Sequence, residues 1–125
     1  MSSLLADTHT LLWWRADDGR LGVGARAAME DPDIPLFFSA ASIWEIAIKR
    51  AQGKLEVPDN LLDTMSEHGF VELPVLSVHG IRAGALPPHH QDPFDRMIVA
   101  QAQNEGLTVV TRDKQIALYD VLVLW

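Results

Sequence analysis

The chain contains no cysteine, has few basic residues and lacks any long apolar run, and each absence excludes a class of protein. Without cysteine it has neither disulfide bonds nor thiolate zinc sites, which fits a reducing compartment. No stretch approaches the ~20 apolar residues of a membrane-spanning helix. The start, MSSLLADTHTLLWW, lacks the basic lead segment and cleavage site of a signal peptide. We therefore expect a cytoplasmic protein that does not enter a membrane.

Positive charge is scarce as well, because 10 Lys and Arg residues stand against 17 Asp and Glu, giving a formal net charge of −7. Proteins that bind nucleic acid mainly through many phosphate contacts usually present a net basic surface. The balance weighs against a protein of that kind, although the local arrangement of charges decides what any single site binds.

Segments of strand and helix type alternate along all 125 residues, and 48% of the residues are hydrophobic, as in ordinary globular proteins. We predict strands near 3–6, 34–38, 70–73, 107–111 and 121–125. Helices are predicted at 8–16, 21–29, 39–53, 58–69, 77–86, 92–105 and 112–120. This alternation predicts a single α/β domain over residues 1–125, with a mostly parallel sheet covered by helices on both faces.

The segment SAASIWEIAIKRAQGKL has the spacing of an amphipathic helix. One apolar stripe is formed by Ala40, Ile43, Trp44, Ala47, Ile48 and Ala51. A second line is polar and consists of Ser42, Glu45 and Lys49, with Glu45 four residues before Lys49 as in a surface ion pair. This line is either the solvated face of the helix or a functional face, and the pattern alone leaves both interpretations open.

A second polar cluster lies in HHQDPFDRMIVAQA, residues 89–102. Asp92 before Pro93 is typical of a helix start, and Asp95 three residues later would complete a capping arrangement. Asp95 also shares a helical stripe with apolar residues such as Ile98 and Val99. Its carboxylate is therefore expected on the core side, where it needs a partner.

Four acidic residues occupy positions that a parallel sheet would bring together. Asp7 and Asp113 each follow a predicted strand, and two more acids lie on helices, Glu45 and Asp95. Taken singly, Asp7 and Asp113 are more often helix caps than catalysts. Because ligands of open parallel sheets bind outside the carboxyl ends of the strands, we expect the four carboxylates to converge there.

Carboxylates held close together repel one another, which raises their pKa values or destabilises the fold. A divalent cation removes this repulsion. Oxygen ligands without cysteine favour Mg²⁺ or Mn²⁺, and such an ion activates water and stabilises the charge that develops when a phosphodiester is hydrolysed. The acids therefore predict a metal-dependent nuclease.

Three histidines lie close to these acids in sequence. His89 and His90 raise the alternative of a zinc site with aspartate ligands, but adjacent residues rarely direct both side chains to one ion. We therefore expect these two to contact substrate or to be exposed in a proline-rich loop. His9, two residues after Asp7, is at most a residue that supports the acids.

Four segments in this order, ADTHTLLWW, SAASIWEIAIKRAQGKL, HHQDPFDRMIVAQA and LTVVTRD, resemble the PIN-domain family, and in particular the VapC-type toxins of bacterial toxin–antitoxin pairs. The resemblance spans nearly the whole chain. It implies a three-layer α/β/α fold and an Mg²⁺- or Mn²⁺-dependent ribonuclease that is inhibited by an antitoxin encoded beside it.

The resemblance also implies roles for individual residues. By position, the catalytic and metal-binding acids are Asp7, Glu45, Asp95 and Asp113. Thr111 and Ser42 match polar positions near the metal, and Asp92 matches the helix start. One departure is the first strand, SSLLA, which lacks the β-branched residues that favour a buried strand.

Two other functions remain open at this point. A protein of the same fold could mature RNA or bind it without cleavage. A signalling module of receiver type also gathers acids around Mg²⁺, but it needs a phosphate-accepting aspartate at the end of a middle strand, where this chain has LFFSA.

Surface residues suggest the partners. Arg96, Arg112 and Lys49 lie near the predicted site and are candidate RNA contacts. Trp13, Trp14 and Trp44 lie on short helices, so part of this apolar surface is expected to bind an antitoxin segment or a second copy of the chain, although a compact core could also hold them. We thus expect a homodimer or a toxin–antitoxin hetero-oligomer.

Overall fold

A computed structural model describes residues 3–125 of the chain. Within these residues, five strands form one sheet: β1 (Leu4–Ala6), β2 (Leu36–Ser39), β3 (Val71–Leu73), β4 (Thr108–Val110) and β5 (Val123–Leu124). Six helices connect them: α1 (Thr8–Arg15), α2 (Val23–Glu30), α3 (Ala40–Ala51), α4 (Leu61–Glu67), α5 (Ser77–Ala85) and α6 (Pro93–Glu105). No helix of residues 3–125 is both long and apolar enough to span a membrane.

The strand order is β3-β2-β1-β4-β5, and every neighbouring pair is parallel. The chain builds outward from β1 to β3 and then returns to the other side of β1 for β4. The direction of building therefore reverses between β1 and β4, which is where the connections leave a crevice at the carboxyl ends of the strands.

Both faces of the sheet are covered, because successive residues of a strand point to opposite sides. In β1, Leu4 and Ala6 belong to one buried cluster with α1 to α4, whereas Leu5 belongs to a second cluster with Ile98 and Val99 of α6. The prediction of a three-layer α/β/α domain is confirmed, and the sheet is parallel throughout.

The start of α6 confirms one half of the predicted capping arrangement. The Asp92 side chain accepts hydrogen bonds from the backbone N–H groups of Phe94 and Asp95, at 2.8 and 3.3 Å, and Pro93 occupies the first turn. The other half is wrong, because the Asp92 N–H donates to Nδ1 of His90 at 3.1 Å and not to the Asp95 carboxylate. Asp95 is thereby free to face the site described below.

The structure shows the orientation of α3, which the sequence pattern leaves open. Its buried residues are Ala41, Ser42, Glu45 and Ile46, whereas Trp44 is 64% exposed. The polar line is thus turned inward, toward α1 and α6. The apolar stripe is the more exposed side of α3, because the interior at this point is polar.

Smaller differences concern element ends and the tryptophans. The helix predicted at 112–120 is a single 3-10 turn at Ile116–Leu118, held by the Asp113 side chain, which accepts from the N–H of Gln115 at 2.8 Å. Trp13 and Trp14 are partly buried against the core, so of these three tryptophans Trp44 alone is exposed as expected of a partner site, with its ring edge-on to Phe94.

Candidate active site

Asp7 links the ends of the two central strands. It follows β1, is buried, and caps α1 by accepting a hydrogen bond from the N–H of Thr10 at 2.9 Å on Oδ1. Its Oδ2 accepts from the hydroxyl of Thr111, which in turn accepts from the N–H of Asp113 at 3.0 Å. Each Asp7 oxygen therefore has one donor and keeps a further lone pair.

Glu45 lies on the inner side of α3 and is only 4% exposed. Its Oε2 accepts a hydrogen bond from Nζ of Lys49 at 2.6 Å, and this bond raises the pKa of Lys49, with Asp92 and Asp95 adding to the effect. Oε1 of Glu45 is buried without any hydrogen-bond partner within residues 3–125. Ser42, one turn earlier, joins α3 to α1 by accepting from the Thr8 hydroxyl at 2.9 Å.

His90, Asp95 and Asp113 form the densest part of the site, with one ligand atom of each lying within 4.8 Å of the others. Nε2 of His90 is 3.0 Å from Oδ2 of Asp113 and 3.1 Å from Oδ2 of Asp95. The expectation of an exposed loop is wrong for His90, which is 8% exposed. It holds for His89, whose ring lies edge-on to Tyr119, so the two histidines do not face one zinc site.

The hydrogen bonds of His90 fix where its ring proton lies. Nδ1 accepts from the N–H of Asp92, so Nδ1 carries no proton. The ring proton is then on Nε2, which points it at the carboxylates of Asp95 and Asp113. A histidine that binds metal usually donates a hydrogen bond from its other nitrogen, and here that nitrogen meets a donor. The ring is therefore set to donate a hydrogen bond and not to coordinate an ion.

Arg96 holds the loop that carries His90. Its guanidinium donates to four backbone carbonyl oxygens, those of Ala83, Leu86, Pro87 and His90, at 2.8 to 3.3 Å. The hydroxyl of Tyr119 completes the arrangement by donating to Pro87 O and accepting from the N–H of His90. Both Nη1 and Nη2 of Arg96, a residue that the sequence analysis offers as an RNA contact, thus donate inside the protein.

Crowding of carboxylates changes their protonation. Burial raises the pKa of Asp95 to about 7, and the negative charges of Asp92, Asp7 and Glu45 act in the same direction against a smaller lowering by His90. For Asp113, partial burial raises the pKa, but hydrogen bonds from His90 and from the backbone N–H of Gln115 outweigh it, so its pKa is lowered.

The donor atoms of this site suit a hard divalent cation. They are carboxylate oxygens, the ligands that Mg²⁺ and Mn²⁺ prefer. An unpartnered buried oxygen such as Oε1 of Glu45 is rare in proteins unless it faces an ion or a water. Each of Asp7, Glu45 and Asp92 also adds to the repulsion felt at Asp95, which a cation would relieve.

The rim of the site is aromatic and basic. His9 is exposed and stacks on Trp13, with ring centroids 5.7 Å apart, so it lies beside the acids and not behind them. The guanidinium groups of Arg112 and Arg20 lie 4.5 and 5.0 Å from the centroid of the Trp13 ring. Lys49 pairs with Glu45 at the other side of the site.

The sequence-predicted residues therefore meet largely as expected, whereas three contributors were missed or misjudged. The sequence presents His90 as half of a zinc pair, a substrate contact or an exposed loop residue, and nothing in the local pattern links Tyr119 to His90 or the Thr10 hydroxyl to β4. Thr10 donates its hydroxyl proton to Val110 O at 2.9 Å, and Tyr119 is 29 residues from His90. Such contacts depend on the folded chain.

Comparison with known proteins agrees with this architecture. Residues 4–122 match the family model described as PIN domain. The chain is 32% identical over 120 residues to Ribonuclease VapC22 of Mycobacterium tuberculosis, covering 93% of this chain and 91% of that protein.

Solved structures show the same fold. DNA-bound VapBC from Salmonella typhimurium matches with a TM-score of 0.71 at 17% identity, covering 98% of this chain and 97% of that one. A toxin–antitoxin complex from Klebsiella pneumoniae matches with a TM-score of 0.67 at 21% identity, covering 97% and 95%. The chain belongs to the PIN domain family, as its four sequence motifs predict.

Proposed function

We propose that this protein is a metal-dependent endoribonuclease that acts as the toxin of a toxin–antitoxin pair. The ribonuclease assignment is supported by its relative Ribonuclease VapC22, and the toxin assignment by its similarity to VapBC and other toxin–antitoxin complexes. The observation that carries the metal dependence is the buried, unpartnered Oε1 of Glu45 beside the other carboxylates.

Asp7, Glu45, Asp95 and Asp113 would hold the cation, which is Mg²⁺ or Mn²⁺. When bound, such an ion polarises the scissile phosphate and lowers the pKa of an attacking water. The protein contributes orientation: Thr10 and Thr111 fix the Asp7 carboxylate, and Lys49 fixes one oxygen of Glu45 so that the other faces the site. Ser42 and Asp92 act through α3 and the start of α6.

His90 would remain outside the coordination sphere. Its Nε2–H group holds one oxygen of Asp95 and one of Asp113, which sets the separation of the two carboxylates. This gives two acids from different elements a common position before the cation binds.

The partners follow from the same assignment. RNA is the substrate, and the cognate antitoxin is the inhibitory partner, with a homodimer or a toxin–antitoxin hetero-oligomer as the assembly. Trp44, next in sequence to Glu45 and edge-on to Phe94, offers an exposed apolar surface for such a contact. Arg112 and Lys49 are the candidate phosphate contacts that the fold leaves near the site.

Expression of the protein should arrest growth, and the product of the neighbouring gene should relieve the arrest. The purified protein should cleave single-stranded RNA with Mg²⁺ or Mn²⁺ and stop when EDTA is added, because the acids cannot activate water without the ion. Growth curves and electrophoresis of a labelled RNA measure both effects.

Cleavage without growth arrest would favour an RNA-processing enzyme over a toxin. If neither ion supports cleavage of any RNA, or if EDTA leaves cleavage unchanged, the metal-dependent assignment is wrong.

Cation affinity should depend on pH through Asp95. Its pKa of about 7 means that a proton competes with the ion below that pH, so affinity should fall by about tenfold per pH unit on further acidification. Isothermal titration calorimetry measures the Mn²⁺ affinity between about pH 5.5 and about pH 8, a range on either side of 7. The Asp95→Asn variant should bind more weakly and with a flatter pH dependence.

The effect of Asp95 on the pH dependence of folding stability is opposite in sign to that of an ordinary ion-paired aspartate. The folded-state pKa of Asp95 lies above the ordinary aspartate value of 3.8, so the metal-free protein binds this proton more tightly than the unfolded chain does. Its contribution to stability is therefore lost as the pH rises toward about 7. A cation affinity that is constant across this range would contradict the assignment of Asp95 as a ligand.

A further inference from the structure

Two adjoining cavities lead away from the acids and meet at His9, Trp13 and Arg20. The smaller, of about 360 Å³, lies between these residues and Asp7, Arg112 and Asp113. The larger, of about 610 Å³, continues between α1 and the segment that follows α3, residues 54–58. We call the continuous depression the basic groove, after the cations that line it: Arg15, Arg20, Lys49, Lys54 and Arg112.

Positive charge is concentrated in this groove. It holds five of the ten Lys and Arg residues of the chain. Apart from the acids of the cation site, its lining contains two negative residues, Asp18 and Glu56. The groove is thus locally basic in a protein whose net charge is −7. Such a contrast with the rest of the surface is typical of a binding site for an anionic ligand.

Internal ion pairs account for two of the five cations, Arg20 with Asp18 and Lys49 with Glu45. Within residues 3–125, Arg15, Lys54 and Arg112 form no ion pair, and Nε of Arg15 is buried without a hydrogen-bond partner. The groove therefore presents donors that the fold itself does not use.

Aromatic rings stand where the two cavities meet. His9 is exposed and lies nearly parallel to Trp13, with an interplanar angle of 14°. The guanidinium of Arg112 lies over the Trp13 ring. Rings that alternate with cations along a groove are the recurring arrangement by which proteins bind single-stranded nucleic acid, because bases stack on the rings while the phosphates meet the cations.

We propose that the basic groove binds the single-stranded RNA segment on one side of the scissile phosphodiester. Arg112, Arg15 and Lys54 contact successive backbone phosphates, and one base stacks on the exposed face of His9. The inference rests on the proposed ribonuclease function, since the groove opens directly onto Asp7 and Asp113. That continuity favours RNA over an acidic protein segment, because RNA has to reach the acids to be cleaved, whereas a bound protein segment does not.

Lys54→Gln and Arg112→Gln test the proposal, with Arg82→Gln as the matched control. Arg82 is an exposed cation on α5 whose side chain contacts Gln103, away from the groove. Binding of a fluorescent single-stranded RNA is measured by anisotropy in EDTA at several salt concentrations. Each groove variant should weaken binding several-fold and lower the slope of log affinity against log salt by about 0.7, the value for one lost phosphate contact on a single strand.

The control should bind RNA as the unsubstituted protein does. Equal losses in Arg82→Gln and the groove variants, or an unchanged salt slope in the groove variants, would overturn the proposal. Unchanged RNA binding with weakened neutralisation by the antitoxin would overturn it in favour of an acidic protein partner. Because the measurement needs no cleavage, its outcome is separate from that of the ribonuclease assay.

Discussion

Asp7→Asn should reduce metal-dependent RNA cleavage by about two to three orders of magnitude while the protein remains folded. The amide keeps an oxygen that can accept the N–H of Thr10, so the cap of α1 survives. It loses the negative charge and places an NH₂ group opposite the Thr111 hydroxyl. The substitution therefore preserves the local structure but removes the negative charge that binds the cation.

Cleavage rates with saturating Mn²⁺ and the thermal unfolding midpoint measure the two effects separately. Asp120→Asn is the matched control, because Asp120 is an exposed aspartate outside the acid cluster, and it should cleave RNA normally. An Asp7→Asn protein that retains cation binding and more than about a tenth of the activity would refute the central role given to this carboxylate.

His90→Ala should lower cleavage by about 10- to 100-fold, the usual cost of removing a group that orients metal ligands. Without the Nε2–H donor, Asp95 and Asp113 are no longer held at a common position. His90→Gln should restore part of the activity, because its amide can place an N–H donor near the original Nε2. It offers no imidazole nitrogen, so a coordinating role would not be rescued.

Nitrogen chemical shifts of the histidine rings distinguish the two roles without any cleavage assay. For His90, Nδ1 should have the shift of an unprotonated nitrogen, and Nε2 should keep its proton both before and after Mg²⁺ is added. Loss of the Nε2 proton on addition of Mg²⁺, together with equally weak cation binding in the Ala and Gln variants, would make His90 a ligand instead.

Much of the fold was accessible from sequence because its signals are local. The cap at Asp92, the proline after it and Gly106, whose φ of 68° ends α6, lie within a few residues of the structure they specify. Burial of β1 on both faces likewise follows from an uninterrupted apolar run. The family motifs placed the four acids, since each lies at a strand end or on a helix facing the crevice.

The errors arose where function sets the burial. In α3, Ser42 and Glu45 are buried because they meet polar partners, so a pattern that equates burial with apolar character does not identify the buried side. His90 and Arg96 depend on contacts with Tyr119, and such long-range pairs leave no local signal. Function-bearing polar residues are therefore the part of this fold least visible in its hydrophobic pattern.

One guanidinium gives the loop between α5 and α6 its shape. Pro87 and Pro88 have no N–H group to donate, and Arg96 and Tyr119 supply hydrogen bonds to the carbonyl oxygens of this loop. Local opening of the loop would move His90 away from Asp95 and Asp113. Local opening of this segment and disruption of the acid site should therefore occur together. A substitution that loosens the loop should abolish activity under conditions in which the domain is still folded.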